Sequence, residues 1–467
     1  MSRLAALIIV LSSLLQSQLP PDDFRQRRQA ILDRLGPADR MLVLTRPVFI
    51  RNSDQDHPFR PDSDFWYLTG FWEPRAVLVL SGSEISFSAG EETVSGREFL
   101  FLREKDPRAE TWTGRRVGVA AAPARLLIEQ AVDINHFSGA IEAILQDADT
   151  AYMNLSWSDA APPLDALAEA TLQYLPPAEE RPRGAFRRVR ALAAKLRRYR
   201  EALKAGTPQL AYRQAGDLIH PLRLIKSPAE IELLQKAIDI TAAGLLAAMR
   251  RSGHGVYEYQ LQASVEFAFK DRGAKRSGYE PIIGSGPNAL ILHYNENDRR
   301  MQAGELVLMD VGAEYQMYTV DITRTFPVNG RFSEAQREVY NVVLKAQAAA
   351  AAALKPGITD ADINRIARET IVEAGYGEFI LHGVIHLIGL DVHDVGVRGT
   401  PLAPGTVLTI EPGIYIPADA ESVPVEYRGI GVRIEDDYLI TPEGAIHMSR
   451  DIPRTVSQIE AVMSPQR

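Results

Sequence analysis

Four acidic residues lie in or directly after apolar segments whose composition is typical of β-strands. They are Asp310, Asp321, Glu411 and Glu435. The segment 306–312, for example, reads L-V-L-M-D-V-G, with one acid among apolar residues. A carboxylate is seldom buried in such a strand unless it pairs with a cation or binds a metal ion. These acids constrain the fold strongly, because the fold must bring each of them a positively charged partner.

Arginine side chains are one source of that partner. Arg324 and Arg433 lie near two of the acids in the sequence, so for any single acid an ion pair is the simpler interpretation. A shared metal ion is the alternative. Asp310 and Asp321 flank a short turn at residues 313–316, which predicts a hairpin with the two acids opposed. Opposed residues have Cβ atoms roughly 4.5–5.5 Å apart, close enough for their carboxylates to share a cation.

A dense histidine cluster shifts the balance toward metal binding. Residues 382–394 contain three of the nine histidines of the chain, namely His382, His386 and His393. The chain has no cysteine, so a metal site would consist of His, Asp and Glu, which favour borderline or hard divalent cations. Four carboxylates balance the charge of two divalent cations. Such sites are typical of two-metal hydrolysis, with the ions roughly 3.5–4 Å apart and a bridging water that becomes hydroxide.

The order and context of these residues resemble the pita-bread metallopeptidases, and more narrowly the aminopeptidase P (Xaa-Pro aminopeptidase) family. Four motifs carry the resemblance: V-D-I-T-R-T-F at 320–326, H-G-V-I-H-L-I-G-L-D-V-H-D at 382–394, I-E-P-G-I-Y at 410–415 and G-I-G-V-R-I-E-D at 429–436. The resemblance extends over residues 24–455. It includes R-P-D-S-D-F-W-Y-L-T-G-F at 60–71, in a first domain that methionine aminopeptidases lack.

The resemblance implies a role for each residue of the metal site. Asp310 would bind one metal ion, and Asp321 and Glu435 would bridge both ions. His386 and Glu411 would bind the other ion. Glu411 would also act in catalysis, by carrying a proton from the bridging water.

The resemblance also implies residues that contact the substrate. The residues assigned to substrate binding are His293, His382, His393, Trp112 and Tyr415. His393 would contact the substrate, and His382 would steady its carbonyl or the tetrahedral intermediate. For His293 the alternative is a structural histidine with partners inside the protein. The three histidines are also assigned to catalysis, together with Arg433, which would orient an acidic ligand.

The implied fold is α/β, of the α+β kind. An RNase-H-like, creatinase-like N-terminal domain at residues 21–205 would precede a pita-bread catalytic domain at residues 206–467. The implied oligomer is a homodimer or homotetramer. The net charge of −8 argues against nucleic acid as a partner.

The implied function is the removal of the N-terminal residue from peptides with proline in the second position. A hydroxide that bridges two divalent metal ions would attack the peptide carbonyl. Manganese is the favoured metal, with cobalt, zinc and iron as alternatives. The nearest alternative function is prolidase, which cleaves Xaa-Pro dipeptides and shares the metal site. The alternative from another class is a metal-free pita-bread binding protein, which should lack several of the five ligands.

The first 20 residues are expected to lie outside the fold. A basic start and an apolar run at residues 4–15 resemble a secretory signal peptide, so we expect export to the periplasm or the medium, with a cytoplasmic location as the alternative. The run is too short for comfortable membrane insertion. A basic stretch at residues 181–204 is interpreted as the solvated face of a helix, and an anion-binding patch is the less favoured interpretation.

Two features depart from the family pattern. Ile385 stands directly before His386, where the family usually has Ser or Gly. The loop at residues 396–401 is shorter than expected for aminopeptidase P. Ile385 is expected to reshape the pocket wall, and both departures bear on the preferred substrate length more than on the metal chemistry.

Overall fold

The computed structural model divides the chain into two compact units, Met1–Ile219 and His220–Arg467. It describes residues 19–156, 163, 166, 167, 170 and 210–464. Residues 1–18 of the expected leader and the basic stretch at 181–204 lie outside the described residues. Within the described residues, no helix has the length and apolar character needed to cross a membrane.

The first unit contains a six-stranded mixed sheet in the order β6-β5-β4-β1-β7-β8. Its strands are β1 (Asp39–Leu44), β4 (Val77–Ala89), β5 (Glu92–Leu102), β6 (Gln130–Asp133), β7 (Thr150–Met153) and β8 (Ala211–Gln214), beside a small hairpin of β2 (Ile50–Asn52) and β3 (Gln55–Asp56). The helices of at least five residues whose bounds lie within the described part of this unit are α1 (Pro21–Leu32), α2 (Ser63–Thr69), α3 (Pro107–Thr113), α4 (Ala122–Leu126) and α5 (Phe137–Leu145).

Apolar segments of the sequence form the centre of this sheet. The run at residues 41–44 is fully buried, as expected for a strand covered on both faces. Phe87 and Phe101 stack with ring centroids 5.6 Å apart, and Phe137 of α5 meets Phe101 at 5.1 Å. The sheet therefore buries aromatic side chains against a helix, which supplies much of the hydrophobic driving force of this unit.

The end of the first unit differs from the expected boundary at residue 205. Residues Ala211–Gln214 form β8, which pairs in parallel with β7. Because these backbone hydrogen bonds tie the segment to the first sheet, the second unit begins at His220 and not at residue 206.

The second unit combines several small sheets with long helices. Its strands are β9 (Arg276–Ser277), β10 (Ile282–Ser285), β11 (Leu306–Val311), β12 (Ala313–Tyr315), β13 (Tyr318–Thr319), β14 (Ile322–Pro327), β15 (Val407–Ile410), β16 (Gly413–Tyr415), β17 (Gly431–Arg433), β18 (Asp436–Thr441) and β19 (Gly444–His447). Its α-helices are α6 (Gly216–Leu224, which spans the unit boundary), α7 (Pro228–Arg251), α8 (Glu258–Asp271), α9 (Glu334–Ala352), α10 (Asp360–Glu373) and α11 (Val456–Met463).

The long helices begin at capping motifs that are complete in the local sequence. Ser227 caps α7 and Ser333 caps α9, each in a capping box with the residue three positions later. Helix α7 packs closely against α8. A Cβ atom on Gly244 would lie 2.7 Å from the Phe269 ring, so only glycine permits this approach. The helices form a layer beside the small sheets that carry the site.

Candidate metal centre

Three of the four acids lie in short breaks between strands and not inside a strand. Asp321 separates β13 from β14, Glu411 separates β15 from β16, and Glu435 separates β17 from β18. Asp310 alone lies inside a strand, β11. At each break the chain passes from one sheet to another. The acids can therefore converge on one point from different sheets, which one continuous sheet would not allow.

The predicted opposition of Asp310 and Asp321 across a hairpin is wrong in detail. Asp310 pairs with Thr323, and the residues between the two acids form part of a separate sheet with β12 and β13. The carboxylates nevertheless meet. The hydroxyl of Tyr279 contacts Oδ1 of Asp310 at 2.5 Å and also contacts Oδ1 of Asp321. The two acids are thus offset along the strands and are linked through a tyrosine.

His386 faces three of the acids. Its Nε2 lies 3.5 Å from both Oδ2 of Asp321 and Oε1 of Glu435, and 3.9 Å from Oε1 of Glu411. One potential ligand atom from each of Asp321, His386 and Glu435 lies within 4.8 Å of the others. Nδ1 of His386 is 3.2 Å from the carbonyl oxygen of Leu387. A hydrogen bond from Nδ1 to that oxygen would leave the Nε2 lone pair free for a metal ion.

The crowding of these groups shifts their pKa values in opposite directions. Burial would raise the pKa of Asp310, but the charge of Arg433 and several hydrogen bonds outweigh it, and the pKa is lowered. Burial and the charges of Glu435 and Asp310 raise the pKa of Asp321 well above its ordinary value. Burial and the charge of Glu435 raise the pKa of Glu411 to about 8. The cluster therefore holds more negative charge than its own cations balance.

The donor set fits a divalent cation. Oε1 of Glu435 is buried, and within the described part of the chain it accepts no hydrogen bond. Oε2 of the same side chain accepts a hydrogen bond of 2.9 Å from Thr323, which fixes the carboxylate with Oε1 toward His386. Burial lowers the pKa of His386, but the nearby carboxylates of Asp321 and Glu435 outweigh it, and the pKa lies well above its ordinary value. A cation held by these oxygen and nitrogen atoms would replace that proton.

Arg433 lies beneath the acids and is buried. Its guanidinium contacts Oδ2 of Asp310 and donates hydrogen bonds of 3.1 Å to Thr323 and 3.0 Å to the hydroxyl of Tyr415. That hydroxyl is 2.8 Å from Nε2 of His382. The acidic group that Arg433 orients in this structure is Asp310, and Tyr415 connects Arg433 to His382.

A cavity of about 690 Å³ opens onto these groups. Ten of the predicted site residues belong to the second unit, and nine of them line the cavity: His293, Asp310, Asp321, His382, His386, His393, Glu411, Arg433 and Glu435. The exception is Tyr415, predicted to line the pocket, which is buried beneath His382 and is only 2% exposed. Trp112 lies in α3 of the first unit and is 89% exposed, so its assignment to the substrate pocket stays a prediction.

The histidines of the cavity wall differ in their surroundings. Burial and the charge of Arg433 lower the pKa of His382, and both of its ring nitrogens have partners, the Gly383 carbonyl and the Tyr415 hydroxyl. The rings of His386 and His393 meet edge to face at 4.4 Å. Burial and the charge of His386 lower the pKa of His393. His382 and His393 therefore favour the neutral form near neutral pH.

Sequence reasoning missed two groups of residues around the site. Tyr279 carries no charge and precedes the site by 31 residues, so nothing in the sequence indicated its contact with Asp310. Arg223 and Lys226 bind the carboxylate of Asp394, the residue after His393. The sequence shows Asp394 directly after His393, but it does not indicate that Arg223 and Lys226 bind this carboxylate.

The comparisons with known proteins agree with this geometry. The profile of Metallopeptidase family M24 matches residues 232–442, and that of the aminopeptidase P N-terminal domain matches residues 24–152. The Xaa-Pro aminopeptidase of Escherichia coli is 37% identical over 97% of this chain and 99% of its own length. The chain belongs to the aminopeptidase P family of M24 metallopeptidases. The human Xaa-Pro aminopeptidase 3 is 34% identical over 92% of this chain and 82% of its own length.

Solved structures of this family resemble the whole chain. The zinc-substituted Escherichia coli aminopeptidase P in complex with product has a TM-score of 0.80 at 36% identity, and it covers 96% of this chain and 99% of its own. The same enzyme with the inhibitor Pro-Leu has a TM-score of 0.79 at 36% identity, with the same coverage. The predicted fold, an RNase-H-like domain followed by a pita-bread domain, is confirmed. The chain is a metal-dependent aminopeptidase, and the metal-free binding protein is not favoured.

Proposed function

We propose that this aminopeptidase releases the N-terminal residue from peptides that have proline in the second position. The observation that carries the proposal is the convergence of Asp321, His386 and Glu435 in a cavity, in a chain 37% identical to an Xaa-Pro aminopeptidase. The proline imide has no N–H and a fixed φ, so a general peptidase cleft fits it poorly. A dedicated cavity lined by imidazoles and carboxylates suits such a bond.

The proposed cofactor is a pair of divalent metal ions, with manganese as the favoured element. Asp310 would hold one ion, and Asp321 and Glu435 would bridge the two. His386 and Glu411 would hold the other. When bound, the ions would supply Lewis acidity that lowers the pKa of a water and positive charge that stabilises an oxyanion.

The proposed proton carrier is Glu411. Its Oε2 lies 3.6 Å from Nδ1 of His382, at the wall of the cavity. Burial raises the pKa of Glu411, and a carboxyl with a raised pKa can both accept and return a proton near neutral pH. The proline nitrogen is a poor leaving group until it is protonated. We assign Glu411 the transfer of that proton.

The proposed substrate contacts are the histidines of the cavity wall. His293 and His393 would bind the peptide, and His382 would steady its carbonyl. Both ring nitrogens of His382 already have partners, so the substrate would have to displace one of them. The Gly383 carbonyl is the partner that substrate would displace, because it contacts Nδ1, the nitrogen that also lies near Glu411. Tyr415 and Arg433 would hold the His382 ring from below.

The test compares three peptide classes with and without metal. An Xaa-Pro-Xaa tripeptide, the matching Xaa-Ala-Xaa tripeptide and an Xaa-Pro dipeptide are each incubated with the Mn²⁺-loaded protein and with chelator-treated protein. We expect Mn²⁺-dependent release of the first residue from the proline tripeptide alone. Cleavage of the dipeptide alone would favour prolidase, and cleavage without metal would contradict the cofactor assignment. An Asp310→Asn variant should lose bound metal by elemental analysis.

Two further proposals concern location and assembly. We propose export, because the basic start and apolar run of the first 20 residues resemble a signal peptide. We also propose a homodimer or homotetramer by analogy with the family. Cell fractionation with N-terminal sequencing tests the first proposal, and light scattering after gel filtration tests the second.

A further inference from the structure

Glu258, at the start of α8, is a fully buried acid to which the mechanism assigns no task. Its side chain is 0% exposed. Its carboxylate accepts hydrogen bonds from the backbone N–H of Ser285 at 2.7 Å, the hydroxyl of Ser285 at 2.7 Å and the backbone N–H of Arg299 at 2.9 Å. It also accepts hydrogen bonds from the hydroxyl of Tyr294 at 2.8 Å and the amide of Asn288 at 3.3 Å.

All of these donors come from one segment, residues 285–299. Strand β10 ends at Ser285, a short 3₁₀ helix follows at Gly286–Leu290, and residues 291–299 form neither helix nor strand. The segment therefore has no ladder of backbone hydrogen bonds to fix its second half. A single carboxylate binds its first residue, its last residue and a residue in its middle. A buried carboxylate with this many donors holds its partners rigidly, so it helps to fix a segment that lacks such a ladder.

His293 lies in the centre of this segment and lines the cavity. The next residue, Tyr294, is buried against Ile282, Leu308 and Tyr415. Its hydroxyl reaches Glu258. Tyr294 is thus fixed at both its ring and its hydroxyl. Because His293 is the preceding residue, the position of its backbone is fixed as well, although its side chain is exposed.

We propose that Glu258 is a positioning residue that holds His293 in the cavity wall for substrate. This role rests on the proposed function, in which His293 contacts the peptide. A displacement of about 1 Å in such a contact can cost about 100-fold in rate. Replacing the carboxylate by an amide would put an N–H group where one carboxylate oxygen now accepts. The donors of Ser285, or those of Tyr294 and Arg299, would then lose their acceptor.

The experiment is a double-mutant cycle on the metal-loaded, full-length protein with an Xaa-Pro-Xaa peptide. We expect Glu258→Gln to lower kcat/KM by about 10–100-fold, with the same division between kcat and KM as His293→Ala. In the His293→Ala background, Glu258→Gln should lower kcat/KM by less than about twofold, because the contact it supports is already absent.

Glu460 offers a matched control. It is a buried carboxylate of the same unit that accepts hydrogen bonds from the Phe332 N–H, Arg331 and Arg337, none of which lines the cavity. Glu460→Gln should lower the unfolding temperature without lowering kcat/KM. An equal loss of kcat/KM in this control would overturn the proposed role. Losses that multiply in the double variant would also overturn it, and so would a His293→Ala variant with unchanged kcat/KM.

A milder variant covers the case in which Glu258→Gln fails to fold. Tyr294→Phe keeps the buried ring and removes only the hydroxyl that reaches Glu258. It should lower kcat/KM in the normal background and have no further effect with His293→Ala. If the losses of kcat/KM from Tyr294→Phe and His293→Ala multiply, the role of Glu258 is overturned and the proposed function is not. Failure of the unsubstituted protein to cleave the peptide would overturn the proposed function and, with it, this role.

Discussion

Nζ of Lys226 lies 2.9 Å from Oδ2 of Asp394, and both side chains are only 1% exposed. The other oxygen of Asp394 is 2.5 Å from Nη2 of Arg223. Burial would raise the pKa of Asp394, but the charges of Lys226 and Arg223 outweigh it, and the pKa is lowered. Because Asp394 follows His393, this buried ion cluster connects the segment before α7 to the histidine loop of the site.

We predict that Asp394→Asn is strongly destabilising. It leaves the buried ammonium of Lys226 without the charge that compensates it, whereas Arg223 keeps its ion pair with Asp391 at 2.9 Å. Breaking a buried pair typically costs about 3–5 kcal/mol. The expected result is a loss of about 3 kcal/mol in the free energy of unfolding, measured by urea denaturation of the metal-loaded protein. We also expect a lower kcat/KM, because the neighbouring His393 loses its support.

The control is an exposed ion pair in the same unit. Glu369 pairs with Arg365 at 3.1 Å on the surface of α10, with both side chains more than half exposed. Glu369→Gln should leave the free energy of unfolding and kcat/KM nearly unchanged, since exposed pairs contribute little. Equal losses in the two variants would contradict the importance of the buried cluster.

The same cluster explains why residue 389 is glycine, which leads to a second prediction. A Cβ atom there would lie 2.2 Å from Oδ2 of Asp394 and 2.9 Å from Cε of Lys226. Gly389→Ala should therefore push the pair apart and cost about 1–3 kcal/mol of stability, as overpacking usually does. Thermal unfolding measures this loss. Gly253→Ala, where the nearest atom is 3.9 Å away, should be neutral or slightly stabilising; equal losses at both positions would exclude a steric cause.

A third prediction concerns the hydroxyl of Tyr415, which joins Arg433 to His382. Tyr415→Phe keeps the buried ring but leaves a guanidinium N–H without its acceptor, at a cost of about 1–3 kcal/mol. The His382 ring also loses the contact at its Nε2. We expect kcat to fall about 10-fold with a smaller change in KM, in steady-state assays with a proline tripeptide. Tyr427→Phe is the control, because its hydroxyl contacts Glu338 outside the cavity.

The grouping of the acids with the histidines could be predicted from residue types in their sequence context. Acids among apolar residues must find a cation, and the histidine cluster supplied the expected imidazole, so the structure brings Asp310, Asp321, His386, Glu411 and Glu435 together as anticipated. The helix starts were predictable for a local reason. The capping boxes at Ser227 and Ser333 are complete within four residues, and no distant contact is needed to recognise them.

The breaks in the strands and the supporting contacts could not be predicted, because they depend on distant partners. Hydrophobic pattern alone cannot show where a strand leaves one sheet for another, as happens at Asp321 and Glu435. Only Pro412, which lacks a backbone N–H, could have indicated the break after Glu411. Tyr279 and Tyr415 carry no charge, and their roles follow from contacts across 31 and 18 residues.

The final prediction concerns the effect of pH on the metal-free protein. The raised pKa of Glu411, about 8, keeps a proton on that carboxyl in the folded protein near neutral pH, and the raised pKa values of Asp321 and His386 act in the same direction. Unfolded carboxyls lose their protons near pH 4 and unfolded histidines near about 6.5. Between about pH 6.5 and 8 the folded state therefore binds more protons, and its free energy of unfolding must fall as the pH rises. Three lowered pKa values oppose this trend in part: those of His382 and His393, whose unfolded forms are half protonated near pH 6.5, and that of Lys275, which burial lowers to about 8.

Urea denaturation of chelator-treated protein at pH 6.5 and 8 measures this fall, and Glu411→Gln should reduce it because the amide does not titrate. The same protons oppose metal binding, since a cation must displace them. Titration calorimetry with Mn²⁺ in buffers of different ionisation enthalpy should show proton release at pH 7 and less at pH 9, with tighter binding as the pH rises. A free energy of unfolding that stays constant or increases from pH 6.5 to 8, or metal binding without proton release at pH 7, would contradict the assignment of these raised pKa values to the ligand cluster.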